Sequence, residues 1–233
     1  MSEHEVETFE APDGLPVPSP DLVYLVTGQY SIEAFYDNGV IGYDSIVSML
    51  ARNKIDQRAL ATVLDFGCGC GRVMRHWSTC NVLGCDYNPE LVSWCDESLP
   101  FATVSVNGTE PPLQYGDSEF DFTYVISVFT HLKPELQVPW FSELARVLKP
   151  GGYLYVTFHG SSHLDKLTDD DKRRFSAGDL VVINEEHSGT NACAVFHPEG
   201  YVRRTFGSIL DLVDFVPVGA KDASQDAYLF RRA

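Results

Sequence analysis

One stretch near the start of the chain combines an acidic residue with three alternating glycines. Residues 63–72 read Val-Leu-Asp-Phe-Gly-Cys-Gly-Cys-Gly-Arg, and the apolar run 61–66 predicts a short buried strand. A helix is predicted to begin near Arg72. Because glycine has no Cβ, a turn of this composition lets the backbone adopt positive φ and lie directly against a ligand. The stretch therefore predicts a ligand-binding turn, although a tight connection without a ligand uses the same residues.

A second acidic residue follows at the spacing of a nucleoside site. The apolar segment 82–86 ends in Asp86, which lies 21 residues after Asp65. In a strand–helix–strand unit, a carboxylate at the tip of the second strand can accept hydrogen bonds from both ribose hydroxyls. Tyr87 comes next and is placed to cover a base. These residues predict a nucleoside-containing ligand, and several cofactors satisfy that description.

A third stretch carries polar residues at the end of a long apolar run. Residues 120–132 predict a central parallel strand that is buried on both faces. Ser127 and His131 stand at its carboxyl end, beside the glycine turn if the first and fourth strands are neighbours. A helix opened by Pro134 follows, then the Pro-Gly-Gly turn at 150–152 and a fifth strand over 153–158.

In this order, the segments resemble the motifs of the class I S-adenosylmethionine-dependent methyltransferases. The matching sequences are Asp-Phe-Gly-Cys-Gly-Cys-Gly at 65–71, Ser-Val-Phe-Thr-His-Leu at 127–132 and Leu-Lys-Pro-Gly-Gly-Tyr-Leu at 148–154. The glycine spacing is G-x-G-x-G, whereas dinucleotide-binding proteins have G-x-G-x-x-G. The resemblance covers about residues 55–159 and, by pattern, 205–232. It points to no particular methyltransferase.

The resemblance implies an α/β fold with a doubly wound, seven-stranded, mostly parallel sheet, the Rossmann-like methyltransferase fold. Its last strand is expected to be antiparallel, and the strand pair predicted over 209–218 and 226–232 matches that hairpin. A small insertion of about 160–204 follows strand 5. Within it, 179–183 and 192–196 predict an extra hairpin, and a helix starts at Pro198.

The chain before the first strand predicts two further regions. Residues 1–20 are rich in Pro and Glu and predict a flexible arm, residues 21–58 a helical cap or lid, and residues 59–233 the methyltransferase domain. In the cap, Ser31 is expected to begin a helix through about Asn38, and apolar residues recur at helical spacing over 43–50. Tyr24, Tyr30 and Tyr36 either pack the cap onto the sheet or border an acceptor pocket.

The resemblance also implies roles for individual residues. The cofactor S-adenosyl-L-methionine is expected to contact Asp65, Gly67, Cys68, Gly69, Gly71, Asp86, Tyr87, Asn107, Gly108 and Ser127. The methionine part lies at the glycine turn, the ribose at Asp86 and the adenine at Asn107 and Gly108. An Asn-Gly pair is also ordinary turn chemistry, so that last assignment has a purely structural alternative.

Transfer to a hydroxyl group calls for a base near the methyl group, whereas an amine acceptor needs no strong base. Histidine titrates in the useful range. His131 is the first candidate and His159 the second, and we assign His163 to the acceptor pocket with the three tyrosines. A histidine at the position of His131 can equally hydrogen-bond the cofactor or cap the next helix.

Composition narrows the class of partner. The 233 residues carry a formal net charge of −16 with a pI near 4.6, which argues against nucleic acid as substrate because phosphate binding needs a basic surface. The six cysteines show no metal-ligand spacing, so we predict no metal and a reducing compartment. The chain contains no apolar run of membrane-spanning length, and its N-terminus is acidic. We therefore expect a cytoplasmic protein without a membrane partner.

The combined prediction is an S-adenosylmethionine-dependent methyltransferase acting on a small molecule. A sugar or a secondary metabolite is plausible as the acceptor, and we favour oxygen over nitrogen as the methylated atom. Two alternatives remain open at this point. One is an NAD(P)-dependent oxidoreductase, and the other is a non-catalytic adenosylmethionine-binding partner protein with the same fold. The sequence predicts no oligomeric state.

Overall fold

The computed structural model of the protein describes residues 9–233, so part of the predicted arm, residues 1–8, lies outside the described residues. The strands are β1 Thr62–Phe66, β2 Asn81–Asp86, β3 Ala102–Val106, β4 Phe120–Val125, β5 Leu148–Phe158, β6 Val181–Ile183, β7 Ala194–Phe196, β8 Asp211–Ala220 and β9 Gln225–Arg231. Seven of them form one sheet in the order β3-β2-β1-β4-β5-β9-β8, and β6 and β7 form a separate two-stranded sheet.

The direction of the strands confirms the predicted fold class. Strands β1 to β5 pair in parallel, whereas β9 runs antiparallel to both of its neighbours, β5 and β8. The last strand of the chain is therefore inserted antiparallel between β5 and β8. Because β1 and β4 are neighbours, the glycine turn after β1 and the residues after β4 meet at the same sheet edge.

Helices cover both faces of the sheet. They are α1 Pro20–Thr27, α2 Ile32–Arg52, α3 Pro89–Ser98, α4 Pro134–Val147, α5 Asp169–Ser176 and α6 Glu199–Thr205. Buried residues of α4 and α6 join one hydrophobic cluster, whereas Cys95 of α3 and the C-terminal half of α2 (Ile46, Met49 and Leu50) join a second cluster on the opposite face. Among the helices of residues 9–233, none has both the length and the apolar composition needed to cross a membrane.

Polar side chains cap the first turns of three helices, and the cap predicted at Ser31 is one of them. The side chains of Ser31, Asn88 and Thr168 accept hydrogen bonds from backbone N–H groups in the first turns of α2, α3 and α5. The helix predicted to stop near Asn38 instead continues to Arg52. Gly39 does not break it, because this glycine lies against the backbone of Arg72, where a Cβ would overlap the carbonyl oxygen.

The prediction of a helix that begins near Arg72 was also wrong. The structure has turns and a short 3-10 helix, Met74–Trp77, at this place. Strand β2 already begins at Asn81, so the connection is too short for an α-helix and a return loop. Burial of Arg75 and Trp77 holds this compact segment in place.

The described part of the predicted arm, residues 9–19, contains no helix or strand. It is nevertheless anchored, because Asp13 accepts hydrogen bonds at 2.7 and 2.8 Å from the Arg75 guanidinium. The division of the chain into arm, cap and methyltransferase domain stays a prediction.

The insertion after β5 contains the predicted hairpin. Val181 pairs with Phe196 in the antiparallel sheet of β6 and β7, and the predicted helix from Pro198 is α6. The hairpin is joined to the main sheet at His159, whose carbonyl accepts from the His197 N–H at 2.8 Å. This attachment places the loop between β6 and β7 beside the end of β4.

Candidate functional site

A cavity of about 530 Å³ opens at the carboxyl ends of β1, β2 and β4. The glycine turn, the end of α1, the loops after β2, β3 and β4, and the loop 188–192 of the insertion form its walls. Of the residues predicted from the sequence, the lining includes Tyr24, Asp65, Gly67, Cys68, Gly69, Asp86, Tyr87, Asn107, Gly108, Ser127 and His131. Parallel sheets of this kind bind ligands at this edge.

The glycine turn is shaped by close packing on both sides. Gly67 has φ +78° and Gly69 has φ +53°. A Cβ on Gly67 would overlap Val128 Cγ2, and one on Gly69 would lie 2.8 Å from Val26 Cγ2. Both positions therefore require glycine, and the backbone of the turn forms the cavity wall.

Gly71 has a different role from the one predicted. It lies outside the cavity lining, and a Cβ at this position would overlap Leu99 Cδ1 at the end of α3. The third glycine lets the turn pack against α3 and does not face the ligand space.

Asp86 is oriented by the turn that it faces. One carboxylate oxygen accepts from the Gly69 N–H and the other from the Asn88 N–H, both at 2.9 Å. The side chain is buried and lines the cavity. A carboxylate offers about four lone-pair positions, so two remain for the hydroxyl groups of a ribose. Asp86 therefore fits a nucleoside and also stabilises the glycine turn.

Asp65 is a buried carboxyl group at the end of β1. Burial raises its pKa to about 7, although the Tyr124 hydroxyl donates a hydrogen bond to it at 2.7 Å. Tyr124 also lines the cavity. A cationic ligand beside Asp65 favours the ionised carboxylate, so this site suits a positively charged group.

Asn107 brings an unpaired acceptor to the part of the cavity wall that follows β3. Its Nδ2 donates to the Gly108 carbonyl at 2.7 Å, while its Oδ1 is buried without a hydrogen-bond partner. Both residues line the cavity, as does the half-exposed Tyr87. An unpaired buried acceptor fits an exocyclic amino group, since such an atom otherwise costs free energy.

Of the histidines singled out by sequence, His131 lines the cavity, whereas His159 and His163 do not. His131 Nδ1 lies 2.6 Å from the Cys193 carbonyl oxygen. A carbonyl can only accept, so Nδ1 carries the proton and Nε2 of the neutral ring carries the lone pair. Burial lowers the pKa of His131, which keeps the ring neutral near pH 7.

The two other histidines lie behind His131, toward the insertion. His159 is buried with its ring 5.3 Å from that of Phe196, and burial lowers its pKa to about 2. His163 Nε2 lies 3.0 Å from the Ser224 carbonyl oxygen. The structure therefore does not place His159 where a base can reach a ligand in the cavity, nor His163 where it can contact an acceptor.

Of the three tyrosines predicted to border an acceptor pocket, one lines the cavity and two do not. Tyr24 lines the cavity, and Tyr30 stacks on it with ring centroids 4.6 Å apart but does not itself line the cavity. Tyr36 packs against Arg75, whose guanidinium carbon is 5.3 Å from the ring centroid. Tyr36 therefore takes part in the packing of α2, which is the first of the two interpretations given for these tyrosines.

Several lining residues were missed by the sequence analysis. Arg72 lines the cavity directly after the glycine turn and donates to Asp222 at 2.8 Å and to the Asn38 carbonyl at 2.9 Å. The sequence signal for Arg72 was its position directly after the third glycine of the turn. Trp140 and the loop 188–192 also line the cavity, and no sequence pattern marks them.

The described residues 9–233 contain no group of three or more His, Cys, Asp or Glu side chains that could hold a metal ion.

Comparison with known proteins gives matches over part of the chain. Residues 64–156 match the family model for a methyltransferase domain. A probable tRNA methyltransferase 9B of Mus musculus is 31% identical over 128 residues, which cover 54% of this chain and 26% of that protein. A fatty-acid O-methyltransferase of Mycolicibacterium smegmatis is 27% identical over 153 residues, which cover 64% of this chain and 48% of that protein. The chain thus spans less than half the length of either relative.

Comparison with solved structures also finds methyltransferases. The crystal structure of an S-adenosylmethionine-dependent methyltransferase from Methanosarcina mazei superimposes with a TM-score of 0.59 at 19% identity, covering 78% of this chain and 96% of that one. The matched segment contains the glycine turn, Asp86 and the end of β4, the three features that shape the cavity. Residues 64–156 therefore match a methyltransferase domain, and the seven-stranded sheet has the fold of the S-adenosylmethionine-dependent methyltransferases.

Proposed function

We propose that this protein transfers the methyl group of S-adenosylmethionine to a hydroxyl group of a small, uncharged acceptor. The observation that carries the proposal is the position of His131. The residue lines the cavity, and because its Nδ1 is held by the Cys193 carbonyl, the lone pair of the neutral ring is on Nε2. A sugar or a secondary metabolite with a free hydroxyl group satisfies this description.

The residues assigned to the cofactor fit the parts of that molecule. The glycine turn and Asp65 would hold the methionine part, with Arg72 available for its carboxylate. Asp86 would accept from the ribose hydroxyls. Asn107 and Tyr87 would hold the adenine, through the free Oδ1 and the ring face respectively.

The charges of the cavity support an uncharged acceptor. Among the described residues that line it, the side chains with a formal charge are Asp65, Arg72 and Asp86, all assigned to the cofactor. The remaining wall is apolar or neutral, and it includes Leu25, Ile126, Val128, Leu132, Leu136 and Trp140. An ionised acceptor in this part of the cavity would lose its hydration without gaining an ion pair.

The size of the ligand space supports a small acceptor. The cavity is bounded on one side by α1 and on the other by loop 188–192, which are joined where Asn191 Nδ2 donates to the Leu25 carbonyl at 3.1 Å. The formal net charge of −16 disfavours a polyanion on the outer surface. Nucleic acid is the substrate class named for the tRNA methyltransferase relative, and it is the alternative that the experiment below tests.

Methyl transfer to a hydroxyl group requires that the acceptor oxygen is held next to the methyl group and that the hydroxyl proton is removed. When bound, S-adenosylmethionine would supply an electrophilic methyl group, and the cavity would hold the acceptor oxygen beside it while the sulfur leaves with the bonding electron pair. His131 Nε2 takes the hydroxyl proton as the oxygen–carbon bond forms. The carbonyl of Cys193 stabilises the resulting imidazolium through the Nδ1 proton.

The first experiment is calorimetric titration with S-adenosylmethionine, its demethylated product and NAD. We expect micromolar binding of the first two and none of NAD. Asp86→Ala should weaken cofactor binding at least tenfold, through lost ribose contacts and a loosened glycine turn. Glu90→Ala is the matched control, because it removes an exposed carboxylate near the cavity that does not line it. Binding of NAD alone would refute the cofactor assignment.

The second experiment is an acceptor screen with neutral hydroxylated molecules, primary amines and tRNA. His131→Asn is the informative variant, because the asparagine amide retains a donor toward Cys193 but has no basic nitrogen. We expect turnover of a hydroxyl acceptor to fall about 100-fold, within the range of general-base contributions, with cofactor affinity unchanged. Methylation of tRNA only, or of amines without loss in His131→Asn, would contradict the proposal. Cofactor binding without transfer to any acceptor would favour the non-catalytic alternative.

A further inference from the structure

The loop between β6 and β7, residues 184–193, contacts both sides of the cavity. We name this loop the insertion lid. It does more than border the ligand space, because three of its groups bond to the segment that carries His131. The same lid is bonded to α1 through Asn191 and Leu25.

The contacts at the His131 end involve both the ring and the backbone. Ring Nδ1 meets the Cys193 carbonyl oxygen at 2.6 Å. The Gly189 N–H donates to the His131 carbonyl at 2.7 Å. Ser188 Oγ accepts from the Lys133 N–H at 2.9 Å. The conformation of the lid therefore sets the position of the His131 backbone and the partner of its ring.

The ring contact has a chemical consequence. In a neutral imidazole, the hydrogen bond made by one nitrogen decides which nitrogen carries the proton. The Cys193 carbonyl accepts only, so it selects the form with the proton on Nδ1. If the lid moves away, this selection is lost and Nε2 can carry the proton instead. A ring with its proton on Nε2 cannot remove a proton from an acceptor at that atom.

We propose that the insertion lid is the positioning element of the reaction, and that His131 is competent as a base only when the lid is closed against it. The main-chain carbonyl of Cys193 is the positioning group. The bond from Asn191 to Leu25 spans the two walls of the cavity, so separation of α1 from the lid would act on the same loop. This inference rests on the proposed role of His131, and it adds a coupling between closure of the cavity and readiness of the base.

Gly189→Ala tests the coupling with little steric change. Gly189 has φ +89°, and a Cβ built on it has no atom within 4 Å. The alanine therefore strains the backbone of the lid where its N–H contacts His131 and introduces no clash. Gly178→Ala is the matched control. That glycine lies in the same insertion with φ +92° and only an ordinary contact to Arg204, and it does not line the cavity.

The primary readout is the ¹⁵N NMR spectrum of the His131 ring in the protein without ligands, which reports the protonated nitrogen directly. Wild type and Gly178→Ala should show the proton on Nδ1, and Gly189→Ala should show a mixture or the proton on Nε2. In steady-state assays, kcat of Gly189→Ala should fall about tenfold. Ser188→Ala is the second lid variant, and we expect its His131 ring spectrum and its kcat to change in the same direction as in Gly189→Ala.

The outcomes separate this inference from the proposed function. An unchanged His131 spectrum in both folded lid variants would overturn the coupling, even if His131→Asn abolishes turnover. A shifted spectrum together with full turnover in His131→Asn would refute His131 as the base and leave the lid without its catalytic role. Equal effects of Gly178→Ala and Gly189→Ala would also overturn the proposal, since they would reflect general loss of stability.

Discussion

At the scale of single residues, the cavity depends on carboxyl groups in unequal surroundings. Asp86 receives two backbone N–H groups, whereas Asp65 receives one hydroxyl and is more deeply desolvated. The pKa of Asp65 is therefore raised to about 7, chiefly by burial. This carboxyl is poised to change its protonation when a cation enters the cavity.

We predict that Asp65→Asn changes stability in a pH-dependent way. A carboxyl group whose folded pKa is raised contributes stability that is present below its usual pKa of 3.8 and lost as the pH rises through about 7. Above pH 7 the wild type therefore contains a costly buried charge that the variant lacks. Without ligand, the free energy of unfolding of the variant relative to wild type should increase by about 3–4 kcal/mol between pH 4 and pH 8, since each unit of pKa difference corresponds to about 1.4 kcal/mol.

Urea denaturation at the two pH values measures that difference. The same variant should bind S-adenosylmethionine more weakly at pH 8, because the carboxylate that attracts the cation is absent. Wild-type affinity should rise with pH through about 7, and the variant should lose this part of the pH dependence. An equal stability difference at pH 4 and pH 8 would show that the Asp65 pKa is not raised.

At the scale of elements, an ion pair fixes the region before the sheet. The Arg75 side chain is completely buried, and it pairs with Asp13 at 2.7 Å from a segment that has no helix or strand. Its guanidinium also lies over the ring of Tyr36 in α2. The short 3-10 helix after the glycine turn is thereby connected to the N-terminal segment and to the helix that precedes β1.

We predict that Asp13→Ala destabilises the protein by about 3 kcal/mol, because it leaves a buried guanidinium without its carboxylate. Asp56→Ala is the control. Asp56 pairs with Arg58 at 3.1 Å, but both side chains are mostly exposed, so its loss should cost far less stability than the loss of Asp13. Chemical denaturation of both variants measures the contrast. Similar losses in the two variants would mean that the Asp13 pair stabilises no more than a surface pair does.

The order of the elements explains how the insertion acquires its place. The chain leaves β5 at Phe158, forms the hairpin of β6 and β7, and returns through α6 to β8. The hairpin is fixed to His159, next to the end of β5, so its loop reaches the end of β4 where His131 stands. The sequence predicted the hairpin, but its attachment depends on a contact made only in the folded protein.

At the scale of the whole molecule, buried histidines link stability to pH. Burial lowers the pKa of His159 to about 2 and that of His197 to about 3. Each histidine has a pKa near 6.5 in the unfolded chain and a much lower pKa in the folded protein. As the pH falls below 6.5, the unfolded chain therefore binds a proton that the folded protein does not, and stability is lost. Both residues lie where the insertion joins the sheet.

We predict that His159→Leu reduces this sensitivity, because leucine has a similar volume and no titrating group. The difference in free energy of unfolding between the variant and wild type should move in favour of the variant by about 1 kcal/mol for each pH unit below 6.5. Thermal denaturation between pH 7.5 and 5 measures it. The same pH dependence in both proteins would mean that His159 already binds a proton in the folded state. At pH 7.5 the variant should retain its cofactor affinity, since His159 does not line the cavity.

The sequence alone determined the sheet, its glycine turn and the acidic residues at its edge. These features are local: strand periodicity, positive φ at Gly67 and Gly69, and a carboxylate at the tip of β2 each depend on a few neighbouring residues. The family motifs lie in the same segments, so the fold and the cofactor could be predicted together.

Only the tertiary structure decided which candidates share the cavity. His131 and His159 stand at the ends of neighbouring strands and look equivalent in sequence, yet His131 faces the ligand space and His159 faces the insertion. Gly71 and Tyr36 turned out to serve packing, and the lid residues that hold His131 have no motif. The direction of a side chain and the partner of its ring are set by segments distant in sequence, and local patterns do not encode those contacts.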